Sequence, residues 1–134
     1  MFDNLKQHHI GCLVTSIEAF KKENSIFWDE FDYSQVFYIT KQDVKVCFIK
    51  KTGGIALELV EPGSSNKSLK NLLVKGITYY HLGFTTTCYD KAVEKMTLAS
   101  CHQLTEFSSE AFKGKRCSFF YHRDLKLIEL IEAE

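Results

Sequence analysis

The chain has 134 residues, 45% hydrophobic and 13% aromatic, which is enough to bury a core and excludes a disordered or fibrous chain. Seventeen Lys plus Arg offset seventeen Asp plus Glu with no basic run, which argues against nucleic acid as a partner. No apolar stretch approaches the roughly 18 residues of a membrane span, and residues 1–7 lack an apolar signal core, so no membrane partner and a cytoplasmic location are expected.

Residues 8–14 alternate, with Ile10, Cys12 and Val14 on one face and His9, Gly11 and Leu13 on the other, which predicts a strand. Thr15 and Glu18 form a Thr-x-x-Glu capping signal. Ile17, Phe20 and Phe27 follow at helical spacing, broken only by Asn24, and predict a helix over about 16–28. Residues 34–40, 44–50 and 55–60 read as strands, with Thr52-Gly53-Gly54 as a turn and Glu61-Pro62-Gly63 closing the third. A polar bridge with a short helix, Ser68 to Val74, ends at Gly76. The pattern then restarts. Tyr79 to Thr85 is a strand, and Thr87-x-x-Asp90 opens a helix carrying Ala92, Val93, Met96 and Ala99. Gln103 to Phe107 is a weakly marked strand; Lys115 to Tyr121 and Leu125 to Ile131 are clearer, with the turn His122-Arg123-Asp124 between them.

Two copies of β-α-β-β-β predict an α+β fold, a single domain over residues 1–134. Module one covers about 7–62, the bridge about 63–77 and module two about 78–134. Neither copy can bury both faces alone; together they predict a curved eight-stranded mixed sheet around a metal cleft, with helices outside. Each copy keeps one His and one Glu: His9 with Glu58 49 residues later, and His81 with Glu129 48 residues later. Their strand neighbours are aliphatic (Ile10, Leu57, Leu59, Leu82, Ile128 and Leu130), so strand alternation puts the four polar side chains on the opposite face. Two imidazoles and two carboxylates converging there make a mixed N/O site for one divalent metal ion.

These segments resemble the vicinal oxygen chelate superfamily, the glyoxalase/bleomycin-resistance group, and within it the methylmalonyl-CoA epimerase and lactoylglutathione lyase-like proteins. The residues that carry the resemblance are His8-His9-Ile10-Gly11, Val44 to Ile49, Leu57 to Pro62, Tyr80 to Phe84, Leu127 to Glu132, and Lys113-Gly114-Lys115-Arg116. The resemblance implies His9, Glu58, His81 and Glu129 as ligands of Ni, Co, Zn, Mn or Mg. It implies an enzyme that abstracts a proton α to a carbonyl, epimerase-like, on a small-molecule acyl-CoA or glutathione-type thioester. Glu129 is then the first candidate acid/base. The family's second acidic position falls near Lys41-Gln42-Asp43, where Lys41 stands and Asp43 is displaced; Asp43 is the second candidate. Glu58 is the residue of glyoxalase I enzymes, where epimerases commonly carry Gln, so lactoylglutathione lyase on the methylglyoxal hemithioacetal is the alternative. A non-catalytic, bleomycin-resistance-like binding protein is a third. Whether the modules pair within one chain or swap in a homodimer is left open.

Lys113, Lys115 and Arg116 are candidates to hold a substrate phosphate or carboxylate, against an ordinary solvated loop. Phe27, Trp28, Phe31, Tyr33, Phe37 and Tyr38 are expected to pack as core rather than line a pocket. His8 is expected to point away from His9, and His102, His122, Glu61 and Glu132 to be solvated. Five cysteines without a Cys-x-x-Cys pair read as reduced structural thiols.

Overall fold

The structure is a computed structural model in which residues 2, 4–51 and 53–133 are described. Thr52, part of the expected turn before the third strand of module one, lies outside them. The fold is α+β. The described strands are β1 (Lys6–Leu13), β2 (Phe37–Ile39), β3 (Val44–Ile49), β4 (Ala56–Pro62), β5 (Tyr79–Thr86), β6 (His102–Ser109), β7 (Lys115–His122) and β8 (Lys126–Glu132). The helices are α1 (Ile17–Glu23), α2 (Lys67–Val74) and α3 (Tyr89–Leu98). The strands form one mixed sheet in the order β2-β3-β4-β1-β5-β8-β7-β6. If β5 to β8 are mapped onto β1 to β4, that order reads the same from either end, which is the repeat expressed as topology. β2/β3, β3/β4, β6/β7 and β7/β8 are antiparallel, and β5/β8 is parallel.

Contacts divide the chain into two compact units, Ile10–Tyr80 and Met1–His9 with His81–Glu134. In the first, Ser16 caps α1, its side chain accepting from Ala19 N at 3.1 Å, one residue later than the expected Thr15. Ser16 is the last extended residue, and a cap must be non-helical itself. The helix also ends earlier than residue 28. Asn24, the residue that broke the apolar stripe, turns both its backbone N–H and its side-chain amide onto the Phe20 carbonyl and closes the helix. Ile17 and Phe20 of α1 pack with Cys12, Val14, Cys47, Ile49, Leu57 and Leu59. Each large aliphatic buried this way contributes about 1.5–3 kcal/mol. Trp28 stacks on Phe20, and Tyr33 joins the same cluster, but Phe31 is 97% exposed and Phe27 and Tyr38 are also exposed. The aromatic group is thus only partly core, because Asp29 caps a 3-10 turn at Glu30–Asp32 that interrupts any strand-like burial pattern. Glu61 is not simply solvated: its Oε1 accepts from Ile17 N at 2.8 Å and satisfies a free donor of the first turn of α1.

In the second unit, α3 lays Tyr89, Ala92 and Met96 on Phe120, Ile128 and Leu130, with Phe2, Leu5 and Phe84 at the margin. Cys88, not Thr87, precedes the helix, and Thr87 instead bonds Asn4, so the expected capping box does not form. β6 runs at the sheet edge with most of its residues exposed, which explains its weak pattern in the sequence. Cys12, Cys47, Cys101 and Cys117 are buried and free, and Cys88 is free and exposed. Among the described residues no helix is long and apolar enough to cross a membrane.

Candidate metal centre

Glu129 sits mid-strand in β8, where it pairs with Gly83 of parallel β5 on one side and Phe119 of β7 on the other. Its neighbours Ile128 and Leu130 pack against α3, so strand alternation sends the carboxylate to the other face. His9 of β1 and His81 of β5 meet it there. His9 Nε2 lies 2.9 Å from His81 Nε2 and 3.0 Å from Glu129 Oε1, and His81 Nε2 lies 3.5 Å from the same oxygen. All three side chains are buried, His9 completely. Glu58, mid-strand in β4 opposite Phe48 of β3 and flanked by the core residues Leu57 and Leu59, is buried as well. Each of the four offers one ligand atom, and these atoms lie within 4.8 Å of one another. Burial of all four excludes the reading of ordinary polar residues on a solvent face.

The donor set fits a divalent cation. With ligand bonds of about 2.1 Å, two atoms on one ion stand about 3.0 Å apart at a right angle and about 3.4 Å at a tetrahedral angle. The separations of 2.9, 3.0 and 3.5 Å lie in that window or within about 0.1 Å of it. Glu129 Oε1 is buried and makes no well-aligned hydrogen bond despite those short distances. Burial alone would push the Glu129 carboxyl up; the imidazoles of His81 and His9 outweigh it and hold the group well below the usual carboxylate range.

Two residues assigned no site role from the sequence shape the cluster. Gly83 has no side chain where His9 lies: a Cβ there would overlap the imidazole ring. Phe112 stacks on His9 with ring centroids 6.2 Å apart. Gly83 had a signal, a glycine inside a strand two residues after His81, of the kind that marks a close approach. Phe112 had none. Phe119 meets His81 edge-on at 5.5 Å.

Asp43 follows a 3-10 turn at Thr40–Gln42 in the left-handed conformation (φ 51°). Tyr38 Oη donates to its Oδ1 and Ser65 N to its Oδ2, each at 2.8 Å, and the Tyr38 bond is the main reason its carboxyl is held below the ordinary value. Oδ1 therefore holds Asp43 to β2, and Oδ2 ties the β2–β3 connection to the bridge. Lys113 and Lys115 line a pocket of about 250 Å³ with Thr85, Phe112, Ile131 and Glu132. Arg116 points elsewhere. It bonds Asp90 at 3.0 Å and Glu132 at 2.9 Å, and its guanidinium lies 4.3 Å from the Tyr89 ring centroid. Glu132 is consequently an ion-pair partner rather than a free solvated acid. His122 Nδ1 accepts from Asp124 N and Leu125 N in the last turn, a local role. His102 is exposed on β6.

Residues 8–121 match the Glyoxalase/Bleomycin resistance protein/Dioxygenase superfamily. The chain belongs to that superfamily. No curated protein matches it. Among solved structures it is similar to Streptomyces coelicolor methylmalonyl-CoA epimerase in complex with 2-nitronate-propionyl-CoA, at 20% identity and a TM-score of 0.78, over 98% of this chain and 96% of that one. Mycobacterium tuberculosis methylmalonyl-CoA epimerase is 16% identical with a TM-score of 0.75, over 96% and 87% of the two chains. A hypothetical protein from Bacillus halodurans is 19% identical with a TM-score of 0.73, over 97% and 95%. At these identities the likeness shows a shared fold.

Proposed function

We propose that the chain is a metal-dependent, epimerase-like enzyme that moves a proton α to the carbonyl of an acyl thioester. The observation that carries this reading is the buried convergence of His9 Nε2, His81 Nε2 and Glu129 Oε1, with Glu58 as the fourth ligand. One divalent ion held there would draw electron density from the substrate's paired oxygens and stabilise the charge that develops as the α-proton leaves. Glu129 is the group proposed to take and return that proton, which it can do only with the accepting oxygen off the ion. The second acid/base is assigned to Asp43 on the family resemblance alone; its two bonded oxygens and lowered carboxyl make it the weaker base of the pair. Lys113 and Lys115, in their pocket beside Phe112, are the groups proposed to hold an anionic part of the substrate; Arg116, paired with two carboxylates, is the weakest of the three. The acyl-CoA class of substrate is carried by the fold shared with the two epimerases above.

By the resemblance to glyoxalase I enzymes, a Glu rather than a Gln at position 58 supports lactoylglutathione lyase as the second reading. The test is exchange of the α-hydrogen of methylmalonyl-CoA and related acyl thioesters in heavy water, followed by NMR, with metal-loaded wild type beside Glu129→Gln and Asp43→Asn. Wild-type exchange is expected to exceed that of Glu129→Gln by about 10²–10⁴-fold. Absence of exchange on every acyl thioester, with turnover of the methylglyoxal–glutathione hemithioacetal, moves the assignment to the lyase. Absence of both reactions leaves a binding protein and defeats the proposal.

A further inference from the structure

His8 is not turned away from the cluster. Its Nδ1 lies 2.9 Å from Nδ1 of His9, the ring nitrogen on the far side of that imidazole from His81 and Glu129. The His8 ring meets the His9 ring nearly perpendicularly, at 5.2 Å and 87°, and meets Phe112 the same way at 5.5 Å and 72°. Phe112 in turn stacks on His9 at 24°, and Gly83 leaves room for the ring on its other side. His9 is thus packed by an aromatic and by bare backbone, and its one ring nitrogen that faces away from the cluster is met by another imidazole.

Two neutral imidazole nitrogens this close form a hydrogen bond only if one carries the proton and the other is bare. A ligand nitrogen must be bare. With His9 Nε2 directed at the cluster, the arrangement that satisfies both conditions puts the proton on His9 Nδ1, donating to a bare Nδ1 of His8. We infer that His8 is a positioning residue: it accepts from His9 Nδ1–H, selects the tautomer with a bare Nε2, and holds the ring at the angle the ion requires. Metal-binding histidines are generally fixed in this way, through the nitrogen that does not bind the metal, most often by a carboxylate or a carbonyl oxygen. This chain uses a second histidine from the adjacent residue. The inference rests on the metal-binding part of the reading above and is independent of the reaction.

The test uses the full chain as wild type, His8→Phe and His8→Asn, with thermal melts to establish that each is folded. Phe keeps the aromatic contact with Phe112 and has no acceptor; Asn supplies a side-chain oxygen that can accept. Zn²⁺ affinity is measured by calorimetry for all three proteins. His8→Phe is expected to bind Zn²⁺ about 10- to 100-fold more weakly. His8→Asn is expected to recover most of the affinity, which a loss of packing alone would not allow. Equal Zn²⁺ affinity in wild type and His8→Phe, or an equally large loss in His8→Asn and His8→Phe, overturns the inference and leaves the proposed reaction standing. Wild-type Zn²⁺ binding without α-hydrogen exchange defeats the reaction and leaves the inference standing. A wild type that binds no metal defeats both.

Discussion

Glycine 83 decides how closely two strands' side chains can approach inside the cluster. Its missing Cβ is the space occupied by the His9 imidazole, and its partner across β5/β8 is Glu129. Adding one methyl there forces the ring aside, because the overlap is with a packed, completely buried side chain and not with a flexible end. Gly83→Ala is expected to cost roughly 1–3 kcal/mol in urea unfolding, the usual penalty for overpacking a core. It should also weaken metal binding, since the ring that moves carries one of the proposed ligand nitrogens. A Gly83→Ala protein as stable as wild type, with unchanged metal affinity, would refute the close approach.

At the scale of the element, α3 is fastened to the sheet by more than its apolar stripe. Tyr89, in its first turn, is 3% exposed and shares its hydroxyl with Ser118 of β7 and Glu106 of β6, while Arg116 lies across its ring. Burial, followed by the nearby Glu106, pushes the Tyr89 phenol up from 10.0 to about 12. The sign follows from which state ionises first. The unfolded phenol loses its proton near pH 10 and the folded one near 12, so the contribution of Tyr89 is fully present below pH 10 and is lost as pH rises through that window. Tyr89→Phe removes two hydrogen bonds, of which Ser118 keeps a replacement from Gln103 at 2.9 Å. A loss of about 1 kcal/mol is expected at neutral pH, narrowing between pH 10 and 12 as the wild type alone gives up the ionisation term. Parallel alkaline stability curves for the two proteins would contradict this account.

For the molecule as a whole, the unit that holds His9, His81 and Glu129 is discontinuous in sequence, assembled from residues 1–9 and 81–134. The N-terminal segment is attached by specific bonds. Asn4 Oδ1 accepts from Thr87 N at 2.7 Å and Thr86 Oγ1 at 2.8 Å, and Phe2 and Leu5 pack against the α3 cluster. These contacts fasten the segment that leads into His9 within the unit that also carries His81 and Glu129. Asn4→Ala is expected to destabilise by about 1–2 kcal/mol, since it leaves Thr87 N without this acceptor. Hydrogen exchange should accelerate first at the end of β5 and the start of α3, the segments that Asn4 ties down. Uniform acceleration over the whole chain would show that Asn4 acts only on global stability.

Strand period and internal repetition are relations between neighbours along the chain, so the two βαβββ copies and the four inward positions His9, Glu58, His81 and Glu129 were readable without coordinates. Terminal details were not. Whether Thr15 or Ser16 caps α1 depends on a single residue's backbone angle, and a propensity pattern is indifferent to a shift of one. β6 escaped clear detection because an exposed edge strand has little hydrophobic alternation to show. The tertiary structure alone decided which side chains from distant strands share a site. It placed Phe112 on His9, gave Arg116 to Asp90 and Glu132, engaged both oxygens of Asp43 with Tyr38 and Ser65, and turned His8 onto His9. Those contacts are set by strand order and side-chain reach across several ångströms, and neither quantity is written in the spacing of residues along the chain.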